Sequence, residues 1–213
     1  MKELDIYNIK KIIENRKPKC LEKMSKFSVL VPFIKEEGKL NIIFELRAKD
    51  LRTQPGEVSF PGGRLEEGET FEEAAVRETM EELNIRRDNI DLIGEFDYLV
   101  SYSNMEIHSF IASISGVDVD KILPNPGEVD HLFTVPLEFF LNNEPNGYYL
   151  DLETRYNKDF PYNLIPNGKE YNFRSSKRTI YFYEYKDYII WGYTASIIKH
   201  LIDELKQENK NEL

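Results

Sequence analysis

Three glutamates are the clearest candidates for chemistry in this sequence. Glu78, Glu81 and Glu82 stand at positions i, i+3 and i+4, so a helix would place their carboxylates on one face. Like charges at this spacing destabilise a helix, and a divalent cation would remove the repulsion. Mg²⁺ and Mn²⁺ prefer carboxylate, carbonyl and water oxygens. The alternative interpretation is a solvated acidic surface, which is the commoner meaning of a charge run.

Two neighbouring features favour a metal site over a solvated surface. Arg77 lies four residues before Glu81 and can brace the acidic cluster. Residues 60–63 read Phe-Pro-Gly-Gly, which predicts a tight turn that brings backbone carbonyls close to the start of the helix. The pattern therefore predicts a compact acidic site with Mg²⁺ or Mn²⁺ as its cofactor.

The segment 63–85 resembles the Nudix box, in which these residue types recur at fixed spacing. The matching residues are Gly63, Glu69, Arg77, Glu78, Glu81, Glu82 and Ile85. Two positions depart from the family pattern, since Thr79 replaces an aliphatic residue and Asn84 replaces glycine. Asparagine also adopts the left-handed conformation that ends helices, and neither departure removes a carboxylate.

This resemblance implies a fold and a set of roles. The fold would be α/β, a Nudix-type α/β/α sandwich with a mixed central sheet. Glu78 and Glu82 would be the principal metal ligands, with Glu81 as a further ligand and the Gly63 carbonyl as a contributor. The residues implied to support the site structurally are Glu69, Arg77 and Gly62.

The preceding segment, residues 47–63, contains two arginines near glycines. Arginine suits bidentate recognition of phosphate, although an isolated arginine more often pairs with a surface acid. The spacing resembles the coenzyme A pyrophosphatase subgroup of Nudix hydrolases at Arg47, Ala48, Arg52, Gly56 and residues 60–63. The subgroup usually has a Leu-Leu-Thr-like stretch before the first arginine, whereas residues 43–46 here read Ile-Phe-Glu-Leu. The resemblance implies that Arg47, Arg52 and Gly56 contact substrate.

The function implied is metal-dependent hydrolysis of coenzyme A or acyl-coenzyme A to 3′,5′-ADP and (acyl-)4′-phosphopantetheine. Two alternatives stay open: a Nudix hydrolase of another nucleoside diphosphate derivative, such as ADP-ribose or a dinucleoside polyphosphate, and a non-catalytic nucleotide sensor. The general base is also open. Glu78 is one candidate, and Glu128 is the other, because many Nudix enzymes place a catalytic glutamate in an equivalent loop.

The elements that would position these residues can be predicted from local patterns. Helical spacing of isoleucines before residue 18 predicts an N-terminal helix that lies against the main domain. We expect residues 1–25 to form a helical extension and residues 26–213 the Nudix domain. Strands are predicted at 27–34, 41–46, 91–102, 106–114 and 179–185, and helices at 69–83 and 194–205. Residues 142–172 give no clear pattern, and Trp191 is interpreted as core.

The whole-chain composition excludes some function classes. The formal net charge of -10 disfavours generic binding to nucleic acid. Cys20 is the only cysteine, which excludes an intrachain disulfide and a four-cysteine zinc site. No signal peptide or membrane-spanning run is recognisable, so a cytoplasmic protein that does not bind membranes is expected. The resemblance implies a small-molecule nucleotide as the substrate. The oligomeric state stays open, with a homodimer as one option.

Overall fold

The computed structural model describes residues 5–211. Residues 1–4 of the predicted extension and residues 212–213 of the predicted domain lie outside it. The helices are α1 (Ile6–Glu14), α2 (Phe71–Leu83), α3 (Leu137–Asn142) and α4 (Gly192–Asn211). The strands are β1 (Ser25–Glu36), β2 (Lys39–Arg47), β3 (Val58–Ser59), β4 (Gly62–Arg64), β5 (Ile90–Val100), β6 (Met105–Ile114), β7 (Val129–Pro136), β8 (Asn146–Leu152), β9 (Ser176–Tyr185) and β10 (Tyr188–Trp191). No helix within residues 5–211 is long and apolar enough to cross a membrane.

The central sheet has seven strands and is mixed, as predicted. Its strand order is β3-β2-β1-β6-β5, with β4 added to β1 and β7 added to β2. β1 runs parallel to β6 and antiparallel to β2. The predicted β1–β2 hairpin turns at Glu37 and Gly38, whose φ angles are 49° and 81°. Two residues with positive φ match the right-handed twist of hairpin strands.

The two strands of this hairpin diverge beyond the turn. β1 pairs with β2 only from Phe33 to Glu36 and with β4 from Phe27 to Val29. β2 pairs with β3 at Glu45 and Leu46, on the edge that β1 has left. The short strands β3 and β4 therefore fill a wedge between β1 and β2, and this wedge opens the sheet where the box segment begins.

Side chains of β1 alternate between two hydrophobic layers. Leu30 and Ile34 pack with residues of α2, whereas Val31 and Phe33 pack with residues of α4. Successive side chains of a strand point to opposite faces, so a strand buried on both faces is apolar almost throughout. Helices thus cover both faces of the sheet, and the predicted α/β/α sandwich is confirmed.

A second sheet, in the order β10-β9-β8, packs beside α4. β8 comes from the region for which local patterns predicted no structure, and it pairs with β9 along its whole length. Tyr183 of β9 and Ile190 of β10 are buried in the same core as Val31. The interpretation of Trp191 as core was wrong: it is 38% exposed and lies on the opposite face of this sheet from Tyr183 and Ile190.

The N-terminal helix forms where it was predicted. Asp5 caps it by accepting a hydrogen bond from the Asn8 amide, and the helix ends at Glu14. Its packing was predicted wrongly, because its isoleucines are exposed, with Ile6 at 78%. An apolar stripe at helical spacing does not reveal what covers it.

Candidate active site

Helix α2 is held at both ends by local hydrogen bonds. Thr70 and Glu73 form a capping box at its start, and Asn84 ends it in the left-handed conformation with φ 53°. Both devices satisfy backbone groups that a helix end leaves unpaired. The Asn84 side-chain amide also donates to the Leu123 carbonyl at 3.0 Å. The carboxylates of the last two turns therefore stand on a fixed element.

Arg77 binds several of the acidic side chains at once. Its guanidinium makes a two-point contact with Glu69, at 2.8 Å and 3.0 Å. It also donates to Glu78 at 2.9 Å and lies 3.3 Å from Glu81. The hydrogen bonds that Arg77 donates to Glu69 lower the pKa of Glu69. Arg77 thereby ties the loop before the helix to the face that carries the glutamates.

Glu82 is the most buried of the three helix glutamates, at 4% exposure. Its Oε2 accepts a hydrogen bond of 2.7 Å from the Gly62 amide, which joins the helix to β4. Burial first, and then the negative charge of Glu45, raise its pKa to about 9. A carboxyl group with such a pKa lies in surroundings that do not balance its negative charge.

Glu45 is a fourth carboxyl group at this site, and it lies outside the segment that matches the Nudix box. It is fully buried in β2, where Ser59 donates to its Oε1 at 2.8 Å and Arg47 lies 3.7 Å from the same atom. Its Oε2 is buried without a hydrogen-bond partner among residues 5–211. Burial raises its pKa to about 7. A glutamate inside an apolar strand was the available signal, because burying a charge is costly unless something compensates it.

The remaining helix glutamates differ in exposure. Glu78 is partly buried against Gly63, and a Cβ atom added to Gly63 would overlap the Glu78 carboxylate. Burial raises the pKa of Glu78, and hydrogen bonding to Arg77 opposes that shift. Glu81 is the outermost, with a side chain 55% exposed. The shared helix face is therefore graded from the buried Glu82 to the exposed Glu81.

The predicted tight turn before the helix is instead part of the sheet. Gly62 and Gly63 belong to β4, and the Pro61 carbonyl accepts a hydrogen bond from Leu30 at 2.9 Å. A Cβ atom at Gly62 would overlap the backbone of Ser28. Glycine is therefore needed here because two backbone segments approach closely, not because the chain reverses.

Glu128 lies in the turn before β7 and is partly buried. Its carbonyl accepts a hydrogen bond from the Ala48 amide at 2.8 Å, which fixes the turn against the end of β2. Its negative charge contributes to raising the pKa of both Glu78 and Glu45. Glu128 therefore lies close to the same group of carboxylates, although it comes from a distant part of the chain.

The structure separates the three residues predicted to bind substrate. Arg47 is partly buried at the end of β2, and its Nε has no hydrogen-bond partner among residues 5–211. Gly56 closes a turn with φ 69° by donating to the Arg47 carbonyl at 3.1 Å. Arg52 is exposed on the loop between them and lines neither cavity of the cleft. Only Arg47 reaches the cleft with its side chain.

Two connected cavities form a cleft on the α4 side of the wedge. The cavity nearer to helix α2, here called the near cavity, has a volume of about 460 Å³ and is bordered by Gly62 and Gly63. The aromatic cavity, of about 470 Å³, lies farther out, between the start of α4 and the second sheet. The residues common to both are Arg47, Gln54, Ser59, Tyr193 and Thr194. Because Gly62 and Gly63 also touch Glu82 and Glu78, the inner end of this cleft abuts these carboxylates, although neither glutamate side chain lines a cavity.

Comparison with known protein families agrees with this arrangement. The model of the NUDIX domain matches residues 24–151, which include the acidic helix, β4 and the Arg47 segment. The chain belongs to the Nudix family.

Similar proteins include plant and animal members of the Nudix family. The chain is 29% identical over 168 residues to "Nudix hydrolase 15, mitochondrial" of Arabidopsis thaliana, covering 76% of this chain and 52% of that protein. It is 35% identical over 139 residues to "Peroxisomal coenzyme A diphosphatase NUDT7" of Mus musculus, covering 64% and 56%. The chain thus matches little more than half the length of these relatives. A Nudix hydrolase from M. smegmatis, RenU, has a TM-score of 0.46 and 19% identity, over 54% of this chain and 71% of that one.

The donor set of this Nudix site suits a hard divalent cation. It consists of carboxylate oxygens, with the Gly63 carbonyl nearby, and these are ligands that Mg²⁺ and Mn²⁺ accept. The raised pKa values of Glu45, Glu78 and Glu82 and the unpartnered Glu45 Oε2 indicate negative charge that a cation would balance. Within residues 5–211, no three acidic, histidine or cysteine side chains are arranged so that they could hold an ion. Arg77 instead forms ion pairs with Glu78 and Glu81.

Proposed function

We propose that this protein is a metal-dependent diphosphatase that cleaves coenzyme A or acyl-coenzyme A. The products would be 3′,5′-ADP and 4′-phosphopantetheine or its acyl form. The observation that carries the proposal is a group of carboxylates that abuts a cavity lined by a cation. Gly62 and Gly63, which contact the carboxylates of Glu82 and Glu78, border the same cavity as Arg47.

Three findings favour coenzyme A as the substrate. The spacing of residues 47–63 is similar to that of coenzyme A pyrophosphatases, and a mouse relative with 35% identity bears the name coenzyme A diphosphatase. The near cavity and the aromatic cavity also share five lining residues and together form a two-part cleft. A two-part substrate fits such a cleft better than a compact nucleotide does.

The residues of this chain would divide the reaction among them. Glu78 and Glu82, with Glu81 and the Gly63 carbonyl, would hold the metal, which neutralises phosphoryl charge and acidifies water when bound. Arg47 would bind a non-bridging oxygen of the diphosphate, because its Nε is buried without a partner in the described chain. Glu69 and Arg77 would fix the orientation of Glu78.

Glu128 is our choice for the general base, with Glu78 as the alternative. The base would take a proton from the attacking water as its oxygen bonds to phosphorus and the bridging P–O bond breaks. Glu128 lies close to the carboxylate group, and Arg77 binds Glu78 but not Glu128. A carboxylate oxygen that no guanidinium occupies can accept a hydrogen bond from water.

The test is a comparison of substrates on one preparation. Coenzyme A, dephospho-coenzyme A and ADP-ribose are incubated with Mg²⁺, with Mn²⁺ or with EDTA, and products are separated by chromatography. We expect coenzyme A to give 3′,5′-ADP with the highest kcat/KM, and EDTA to stop the reaction. A preference for ADP-ribose, with coenzyme A left intact, would contradict the substrate while leaving family membership untouched.

A further inference from the structure

The aromatic cavity is built from a sheet face that the hydrophobic core does not use. Along β9, Tyr181, Tyr183 and Tyr185 turn into the core, and the alternate side chains line the cavity. Those alternate residues are Arg178, Ile180 and Phe182. Strand geometry requires this alternation, so the second face of β9 is free for a ligand.

Three rings form the wall of this cavity. Phe182 stacks on Trp191 with ring centroids 5.7 Å apart and planes 10° apart. Tyr148 meets Phe182 edge to face at 5.6 Å. Tyr148 and Trp191 are both exposed although they are large and apolar. Such a wall suits a flat ring, because aromatic side chains stack well on the face of any nucleobase.

Arg178 stands beside this wall, and Arg47 lines the same cavity. The Arg178 guanidinium lies over the rings of Tyr193, at 4.4 Å, and Tyr102, at 5.4 Å, and it donates to the Tyr193 hydroxyl at 3.1 Å. No carboxylate within residues 5–211 forms a salt bridge with Arg178, so its charge is held in place but not neutralised. The first residues of α4 also line the cavity, and a helix start adds positive potential. Glu57 also lines the cavity, and its carboxylate accepts a hydrogen bond of 3.2 Å from Gln54. The cavity thus combines a stacking surface with an arginine that can bind an anion.

We propose that this cavity binds the adenosine 3′-phosphate half of the substrate. The inference rests on the proposed function: the base lies against Phe182 and Trp191, and Arg178 binds the 3′-phosphate. The order of adenosine and diphosphate in the substrate agrees with the cleft. Arg47 lines both the aromatic cavity and the near cavity, at whose inner end the diphosphate would be cut. The pantetheine arm is uncharged and has no ring, so it would use neither the stacking wall nor the cation.

Trp191 supplies a direct readout, since it is the only tryptophan in the chain. Its fluorescence is followed while metal-free protein is titrated with adenosine 3′,5′-bisphosphate, with 5′-AMP or with 4′-phosphopantetheine. We expect both adenosine ligands to change the emission. The bisphosphate should bind about 10-fold or more tightly than 5′-AMP, because a hydrogen bond to a charged group is worth that much.

The matched variants are Arg178→Gln and Lys177→Gln. Both remove one positive charge from β9, but Lys177 lies on the other face of the strand, 3.8 Å from Asp151. We expect Arg178→Gln to weaken bisphosphate binding about 10- to 100-fold and to leave 5′-AMP within about threefold. Lys177→Gln should change neither, and Arg178→Lys should recover part of the loss. If Arg178→Gln fails to fold, the wild-type preference for the bisphosphate over 5′-AMP decides the question.

Three results would overturn the inference: no emission change with either adenosine ligand, equal affinity for both, or a larger response to 4′-phosphopantetheine. Hydrolysis of coenzyme A is measured on the same preparation. Hydrolysis without an adenosine response refutes this inference alone. A bisphosphate response that depends on Arg178, without hydrolysis of coenzyme A, refutes the proposed function and leaves the binding site supported.

Discussion

The two ends of the cleft are stabilised by different forces. At the inner end, Glu45, Glu78 and Glu82 are held by the backbone of β4, by Ser59 and by Arg77, and the pKa of each is raised by burial. At the outer end, the aromatic cavity consists of partly exposed rings with one dominant cation, Arg178. The inner end gathers buried carboxyl groups, whereas the outer end offers apolar surface.

This difference predicts different kinetic consequences. Interactions that strengthen only in the transition state govern kcat, whereas uniform binding of a remote group governs KM. Charge at the inner end lies where phosphoryl charge would change during reaction. Contacts in the aromatic cavity would be the same before and during bond cleavage. Substitutions at the two ends should therefore separate the two kinetic constants.

The largest effect is expected for Glu82→Gln. The amide can still accept the Gly62 hydrogen bond, so the fold should survive, but the ligand charge is lost. Metal ions supply several kcal/mol of transition-state stabilisation, so kcat should fall by roughly 1000-fold or more. Steady-state kinetics measure this, with Glu72→Gln, an exposed glutamate of the same helix, as the control. Near-normal metal-dependent turnover would show that Glu82 is not a metal ligand.

A smaller but still large loss is expected for Glu128→Gln. A general base contributes about 100- to 10,000-fold, so kcat should fall by at least roughly 100-fold. Calorimetric titration with Mn²⁺ should give nearly unchanged affinity, because Glu128 is not among the proposed ligands. Asp130→Asn, which changes an exposed acid on the same segment, serves as the control. A loss of Mn²⁺ binding instead would make Glu128 a ligand rather than a base.

At the outer end, Trp191→Leu should raise KM for coenzyme A while kcat changes little. Stacking on a base is worth about 1–3 kcal/mol, which corresponds to roughly 5- to 100-fold in KM. Leucine keeps apolar bulk, and Trp191 is 38% exposed, so folding should be preserved. Ile189→Ala, at an exposed position of the same strand that does not line the cavity, should leave KM unchanged. A fall in kcat with constant KM would contradict the predicted kinetic difference between the two ends of the cleft.

The smallest effect concerns stability at the inner end. Folded-state pKa values of about 7 for Glu45 and about 9 for Glu82 lie above the ordinary 4.5. Between pH 4.5 and these raised pKa values, the folded protein keeps protons that the unfolded chain releases. The stabilisation from these two groups is therefore complete below pH 4.5 and is lost as pH rises towards 9. Glu69, with its lowered pKa, acts oppositely, but only in acid.

The measurement is thermal unfolding of EDTA-treated protein from pH 5 to pH 9. We expect Tm to fall by several degrees across this range, since about 1 kcal/mol corresponds to about 2–4 °C in a protein of this size. Glu45→Gln should flatten the slope, and the exposed Glu72→Gln should not. A slope unaffected by Glu45→Gln would mean that the buried pair does not hold its proton.

The inner end was largely predictable because it is encoded by neighbouring residues. The helix, its left-handed cap at Asn84 and the proximity of Arg77 to Glu81 all follow from spacing along one segment. What spacing could not give is the pairing of Glu82 with Gly62 across the sheet, or the arrival of Glu45 from β2. Those contacts depend on how the hairpin opens, which is a property of the tertiary fold.

The outer end was not predictable for the same reason. Its wall comes from β8, β9 and β10, and a single strand shows only that every second residue faces one way. Trp191 carries no local sign that its face is open, since a buried tryptophan would have the same neighbours in sequence. The alternation of Tyr148 and Leu150 in β8 was a usable signal, but the surrounding asparagines and prolines obscured it.

The wedge between β1 and β2 has a consequence for how this protein can change. β3 and β4 together contribute five residues, and the loop before them is closed at its neck by backbone hydrogen bonds between Arg47 and both Gly56 and Glu57. Lengthening a loop costs free energy that grows only slowly with its size. Insertions between Ala48 and Pro55 would therefore leave the strand ladder in place. Sequence changes in this loop can therefore alter the shape of the cleft opening without disturbing the residues at its inner end.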